Sequence, residues 1–265
     1  MSLTVWRLPV ELLKNIFQYC EKFYNVLVCR TWYKEALPYF YDVVDVDGEH
    51  SLVQCLQMLA SRDCLPHYIR SFCLSQRGPL SETNRDQLSE SLSKMIHLYR
   101  LELRILPPNM RINCFRQLSF PNLVYFTSHL ELDQSIIDFI TSQQRLLEVY
   151  LYGSWVDSAA LPVISALPKL STLLVCDISV AIAIIRVIPI LNVFIRGTPI
   201  SRIKLLDLSG SDTIHEVRNL EIFPESCSLL TLMSDRFSGL RRLELRALDT
   251  NVIPVVFCSV SIDLI

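Results

Sequence analysis

Metal ligation and nucleophilic catalysis are the chemistries that cysteine and histidine could offer, and this chain carries nine of the first and five of the second. Cys20, Cys29, Cys55, Cys64, Cys73, Cys114, Cys176, Cys227 and Cys258 are odd in number, spread out, and include no C-x-x-C pair. A tetrahedral zinc site needs clustered ligands; Cys64 with His67 comes nearest and lacks a second half. Most of the cysteines stand among Val, Leu and Phe, as small buried hydrophobes do. The expectation is reduced thiols with no disulfide framework, no metal and no other cofactor. His50, His67, His97, His129 and His215 sit apart from one another. No G-x-S-x-G elbow, phosphate-binding G-x-x-x-x-G-K-[ST], G-x-G-x-x-G or H-E-x-x-H occurs, so no enzymatic activity is expected of the chain itself.

Composition narrows the setting further. Of 265 residues, 51% are hydrophobic and 20% charged, which supports a packed core rather than disorder. Net charge is -2 and no run of Lys or Arg exceeds two, so nothing points to nucleic acid. The stretch ISVAIAIIRVIPILNVFI, from Ile178 to Ile195, is long enough for a membrane span. Arg186 at its middle costs about 2.5–3.5 kcal/mol on insertion scales, and Pro189 interrupts it. It reads instead as a buried helix followed by a second apolar segment, with no membrane partner. The first residues, MSLTVWRLPVELLK, lack the apolar core and cleavage site of a signal peptide, so a cytoplasmic or nuclear protein is expected.

The elements that would present a binding surface begin with RLPVELLKNIF, from Arg7 to Phe17. Pro9 suits a first helical position and Glu11 suits the positive end of the helix dipole. Leu12/Leu13, Ile16/Phe17 and Cys20 then form one apolar stripe. Leu8 stands where a capping side chain would be expected. It either covers Leu12 or Leu13 as a hydrophobic staple or belongs to a contact surface. A second helical segment, KFYNVLVCRTWYKEALPYF, is expected to end at Pro38. Such short helices are too little for an independent core.

Leu8-Pro9-x-Glu11-Leu12-x-x-x-Ile16-Phe17, followed by Val28-Cys29-Arg30-x-Trp32-Tyr33, resembles the F-box. The F-box is the three-helix module that docks on the Skp adaptor of cullin–RING ubiquitin ligases. The resemblance covers about residues 6–47, and its inter-block stretch QYCEKFYNV is a few residues shorter than usual. It implies adaptor binding through Leu8, Pro9, Leu12, Ile16, Val28, Cys29 and Trp32, with Leu8 serving as contact surface rather than cap.

The rest of the chain repeats the template apolar-x-x-apolar-x-apolar. It recurs as IRSFCL (Ile69), LYRLEL (Leu98), LVYFTS (Leu123, a weak match), LLEVYL (Leu146), LSTLLV (Leu170), IKLLDL (Ile203) and LRRLEL (Leu240). The first starts lie 29, 25, 23 and 24 residues apart, within or at the edge of the leucine-rich-repeat range, and the last two intervals widen to 33 and 37. DQSIIDFITSQQ and DSAALPVISAL between them read as helices capped by Asp133 and Asp157. The body is similar to the irregular leucine-rich-repeat-like half of many fungal F-box proteins. The asparagine that usually ends each strand turn is replaced by Leu106, Glu131, Ser154 and Ser211. The alternative is one compact α/β domain with unrelated strands.

The expected architecture is α/β: a short three-helix F-box over 1–48, then an irregular leucine-rich-repeat-like solenoid with a parallel sheet over 49–265. Alternate strand residues would face outward on its concave side. Tyr125, Tyr150 and Tyr152 form an aromatic centre of the kind favoured at protein–protein hot spots, and Arg100, Arg104, Arg242 and Arg246 flank it. The apolar tail VIPVVFCSVSIDLI is expected to fold back as a last strand, or to lead into an array that a longer product continues. The resemblance implies a substrate-recognition subunit of a Skp–cullin–F-box ubiquitin ligase. Its partners would be the Skp-type adaptor, through it the cullin, and a protein target. The alternative is an interaction scaffold with a vestigial box and no ligase role.

Overall fold

A computed structural model of the chain describes residues 30–106, 115, 118–156, 170–185, 190–195, 217, 219–222, 241–248 and 257–263. Helix α1 (Arg30–Phe40) leads into strand β1 (Val43–Asp47) and helix α2 (Glu49–Ser61). Strand β2 (Ser71–Arg77), helix α3 (Glu82–Ser93), strand β3 (Arg100–Leu106), strand β4 (Tyr125–Ser128), helix α4 (Gln134–Ser142) and strand β5 (Glu148–Leu151) follow. Then come strand β6 (Thr172–Val175), helix α5 (Ile178–Ile185) and strands β7 (Asn192–Ile195), β8 (Asn219–Ile222), β9 (Arg242–Leu248) and β10 (Phe257–Asp263).

The ten strands form one sheet whose spatial order is their chain order. Every neighbouring pair from β1 to β9 is parallel. The register is uniform: Val43, Ser71, Arg100, Tyr125, Glu148, Thr172, Asn192, Asn219 and Arg242 stand in one row across the sheet. Successive members of that row are 28, 29, 25, 23, 24, 20, 27 and 23 residues apart. The expected widening is therefore corrected. β7 pairs directly with β8, so no strand from the Ile203 segment lies between them, and the spacing stays regular. Residues 203–208 themselves lie outside the described residues.

The template positions build the core. Ile69, Leu98, Leu123, Leu146, Leu170, Ile190 and Val217 are buried two residues before each strand, with Phe72, Leu101, Phe126, Val149, Leu173, Val193 and Leu220 behind them. Each such side chain withdrawn from water contributes roughly 1.5–3 kcal/mol. The weak window at Leu123 is a true strand although Ser128 replaces an apolar residue. Its hydroxyl is fully buried and accepts the Leu130 N–H at 3.1 Å, which satisfies the polar group locally.

Helices fill the other layer. The Asp133 carboxylate accepts the Ser135 and Ile136 N–H groups at 3.0 and 3.1 Å and opens α4 as its cap. Asp157 lies outside the described residues. The apolar face of α4 brings Phe139 against Phe115, Phe120 and Phe126, with ring centroids 5.1 to 5.9 Å away. Gln143, also buried, joins two units by accepting the Phe120 N–H at 2.8 Å and donating to the Phe139 carbonyl at 3.0 Å. In α5 every residue from Val180 to Ile185 is buried, as a helix apolar on all sides requires. Among the described residues no helix is long and apolar enough to cross a membrane.

Two expectations at the N-terminal end need adjusting. Helix α1 runs two residues past Pro38, so the proline does not end it. Its missing N–H costs one bond close to the helix end, where the last turn has few left to lose. Strand β1 is part of the sheet, which therefore begins inside the residues 1–48 assigned to the separate module. Ala36 and Leu37 of α1 are buried, and Arg62 donates a hydrogen bond to the Tyr33 hydroxyl, tying α1 to the end of α2.

Candidate binding face

Alternate strand residues leave the core rows and populate the opposite, open face of the sheet. On β3 these are Arg100, Glu102 and Arg104. Glu102 is the residue around which the others are arranged: its side chain is 3% exposed, while those of Arg100 and Arg104 are 44% and 51% exposed. One carboxylate oxygen takes the Arg100 guanidinium and the other takes Arg104. Burial works against the two guanidinium charges, but the Glu102 carboxylate prevails and both are held above their ordinary pKa. The accessible charge here is cationic and its counter-charge lies beneath it.

Tyr125 stands beside Arg100 in the register, and the Arg100 guanidinium carbon lies 4.1 Å from its ring centroid, a cation–π contact. Tyr150 continues the run, its ring centroid 5.1 Å from that of Tyr125. The Tyr150 hydroxyl donates to Glu148 at 3.1 Å. Burial first, and then the Glu148 charge and hydrogen bond, push the phenol up to about 12. Two residues along, His129 stacks on Tyr152 with centroids 4.4 Å apart. Burial and the Arg104 charge lower the His129 pKa against an upward pull from Glu102, so the imidazole is neutral at pH 7. Thr127 lies between these side chains, buried, and its hydroxyl has no hydrogen-bond partner among the described residues.

The structure thus brings Arg100, Arg104, Tyr125, Tyr150 and Tyr152 together. Arg242 and Arg246 lie on β9, in the same face register but four strands beyond β5, about 19 Å along the sheet. Their side chains lie outside the described residues. So do Leu8, Pro9, Leu12, Ile16, Val28 and Cys29, and of Trp32 only the backbone, in α1, is described.

Two residues of the face were not singled out for the site by sequence reasoning. Glu102 alternates like its neighbours, and only its near-complete burial reveals its role. Phe194 continues the row Thr127, Tyr150, Leu174 across β7. It sits in a segment so uniformly apolar that its alternation is hidden. Of the described cysteines, Cys55 is buried, Cys64 exposed, and Cys73 and Cys176 half-buried, so burial is less general among them than the sequence implied. Burial pushes the Cys55 thiol up to about 11. Among the described residues no group of His, Cys, Asp or Glu could hold a metal ion. No protein-family model matches the chain, and no curated protein sequence matches it.

Proposed function

We propose that this chain is a substrate-recognition subunit of a Skp–cullin–F-box ubiquitin ligase. The observation that carries this reading is a juxtaposition in sequence. The paired blocks around Leu8-Pro9 and Val28-Cys29-Arg30-x-Trp32 directly precede a sheet that adds one parallel strand per 20 to 29 residues. The N-terminal blocks would bind a Skp-type adaptor and, through it, a cullin. The leucine-rich-repeat-like body would hold a protein target on its open face, and a partner enzyme would transfer ubiquitin. The chain itself would contribute proximity, raising the target's effective concentration at the ligase. The aromatic run at Tyr125 and Tyr150 supports target binding there, because large rigid rings bury much area at small entropic cost.

Co-purification with a Skp-type adaptor tests the first half. Apolar anchors at such interfaces are worth about 2 kcal/mol or more each. Leu8→Ala with Pro9→Ser should therefore weaken adaptor binding well over tenfold and leave the thermal transition of the sheet in place. Tyr150→Ala with Tyr152→Ala should do the reverse, abolishing target capture and sparing the adaptor. Equal adaptor binding by the wild type and the Leu8/Pro9 variant would remove the basis for the ligase role.

A further inference from the structure

A cavity of about 610 Å³ opens between α1 and α2. Gln54, Gln57, Met58 and Ser61 line it from α2, at i, i+3, i+4 and i+7, positions that share one helix face. Tyr33 of α1, Tyr41 just before β1, and Arg62, the C-cap of α2, complete the wall. Among the described lining residues only Arg62 is charged. Its guanidinium donates to the Tyr33 hydroxyl and lies 6.0 Å from the centroid of that ring. No carboxylate pairs with Arg62 among the described residues, and the Asp63 carboxylate beside it lies 3.9 Å from Lys94. Arg62 is therefore steadied by an aromatic ring and, unlike Arg100 and Arg104, carries no counter-charge.

The hydroxyls around it have capacity to spare. The Tyr33 oxygen accepts from Arg62, and its own proton has no acceptor among the described residues. The Tyr41 hydroxyl donates to the Met58 thioether at 3.5 Å, a weak acceptor that an anion would displace. Burial and then Tyr33 raise the Tyr41 pKa against a downward pull from the Arg62 charge, so the phenol keeps that proton at neutral pH.

We infer that this cavity binds a small organic acid, its carboxylate held by Arg62 and the Tyr33 hydroxyl and its flat apolar body packed on Tyr41 and Met58. Charge selects the head group. The guanidinium spends one N–H on Tyr33 and keeps others, in the planar fork that matches a carboxylate. The walls select the body, because two phenol rings and a thioether offer flat, polarisable surface. The volume sets its size: cavities of roughly 300–1,000 Å³ take molecules larger than a bare carboxylate ion, and a two-ring acid fits. A ligand so placed touches both helices and braces α1 against α2. The site belongs to the helix layer, so it stands whether or not the chain serves a ligase.

The experiment uses the full chain and three probes read by isothermal titration: 2-naphthoate, its neutral analogue 2-naphthamide, and acetate, which has the head group without the body. 2-Naphthoate is expected to bind about fivefold or more tighter than 2-naphthamide, and at least tenfold tighter than acetate. Added salt should weaken 2-naphthoate and leave 2-naphthamide unchanged, because the guanidinium is open to solvent. Arg62→Gln should bring 2-naphthoate down to the affinity of the amide, and Tyr33→Phe should weaken it by a smaller factor. Hydrogen exchange places the site: saturating 2-naphthoate should slow exchange in α1 and at the end of α2. Equal affinity for acid and amide, or no binding of 2-naphthoate at millimolar concentration, overturns the inference. So does protection confined to β3 and β4, which would put the acid on Arg100 and Tyr125 instead. The probe comparison and the exchange map need only the wild type, so a variant that fails to fold does not block the test.

Discussion

At the scale of single residues, the candidate face is governed by what lies under it. Glu102 neutralises half of the charge that Arg100 and Arg104 display, so the patch holds its arginines in place and is less strongly cationic than two unpaired guanidiniums would be. His129 feels the same cluster. Its pKa is lowered from 6.5, first by burial and then by Arg104, so it binds fewer protons folded than unfolded as the pH falls. Its contribution to stability is therefore whole above about pH 6.5 and declines as acidification proceeds toward the lowered folded value. We expect the melting temperature to fall as the pH drops below about 6.5 and His129→Gln to flatten part of that slope. Superimposable pH profiles for the two proteins would show that the half-buried imidazole has no such role. The alternation that puts Tyr125, Tyr150 and Tyr152 on one face was legible in the sequence, because period two follows from strand geometry. The burial of Glu102 was not, since it depends on the side chains gathered around it from its own and the flanking strands.

At the scale of elements, the repeat is set by register rather than by strict sequence likeness. The template located β2 to β6 and β9 directly. It missed β7 and β8 because Ile190-x-x-Val193-x-Ile195 and Val217-x-x-Leu220-x-Ile222 satisfy it no better than the Ile203 segment does, and in so apolar a region pattern alone cannot choose among them. Pairing chooses, since each strand must present its N–H and C=O groups at the same height as the strand before. Close approach between units then constrains single positions. A Cβ on Gly153 would lie 1.7 Å from the Leu130 carbonyl oxygen, a backbone atom that cannot swing aside. Gly153→Ala must push apart the turns that follow β4 and β5. Overpacking of this kind costs about 1–3 kcal/mol. A melting temperature lower by several degrees is expected, whereas Gly48→Ala, with nothing near its Cβ, pays only for its positive φ of 80°. A Gly153→Ala protein as stable as wild type would mean that the two turns do not meet this closely.

At the scale of the whole molecule, a sheet that grows by one strand per unit has two edges, and each exposes unpaired backbone groups. On the β9 side the edge is taken by β10, which reverses direction and pairs antiparallel along all seven residues, from Phe257 with Leu248 to Asp263 with Arg242. Of the two fates expected for the apolar tail, this is the fold-back. The reversal matters physically. A further parallel strand would need another crossover, whereas an antiparallel return covers β9 after a short connection. On the β1 side the edge strand carries Asp45 and Asp47, both exposed, and charges on an edge strand oppose pairing with another chain. β9 is thus covered by a tethered strand that becomes the edge in its place, whereas β1 is guarded by its charges. Deleting residues 252–265 should expose the β9 backbone while leaving β1 to β8 paired. We expect such a protein to lose thermal stability and to self-associate through the uncovered edge, visible as larger species in light scattering and dependent on protein concentration. Asp45→Asn with Asp47→Asn, which weakens the other guard without unpairing a strand, should promote association but shift the melting temperature little. If the truncated chain stays monodisperse with an unchanged transition, β10 is an appendage and β9 is protected by something else.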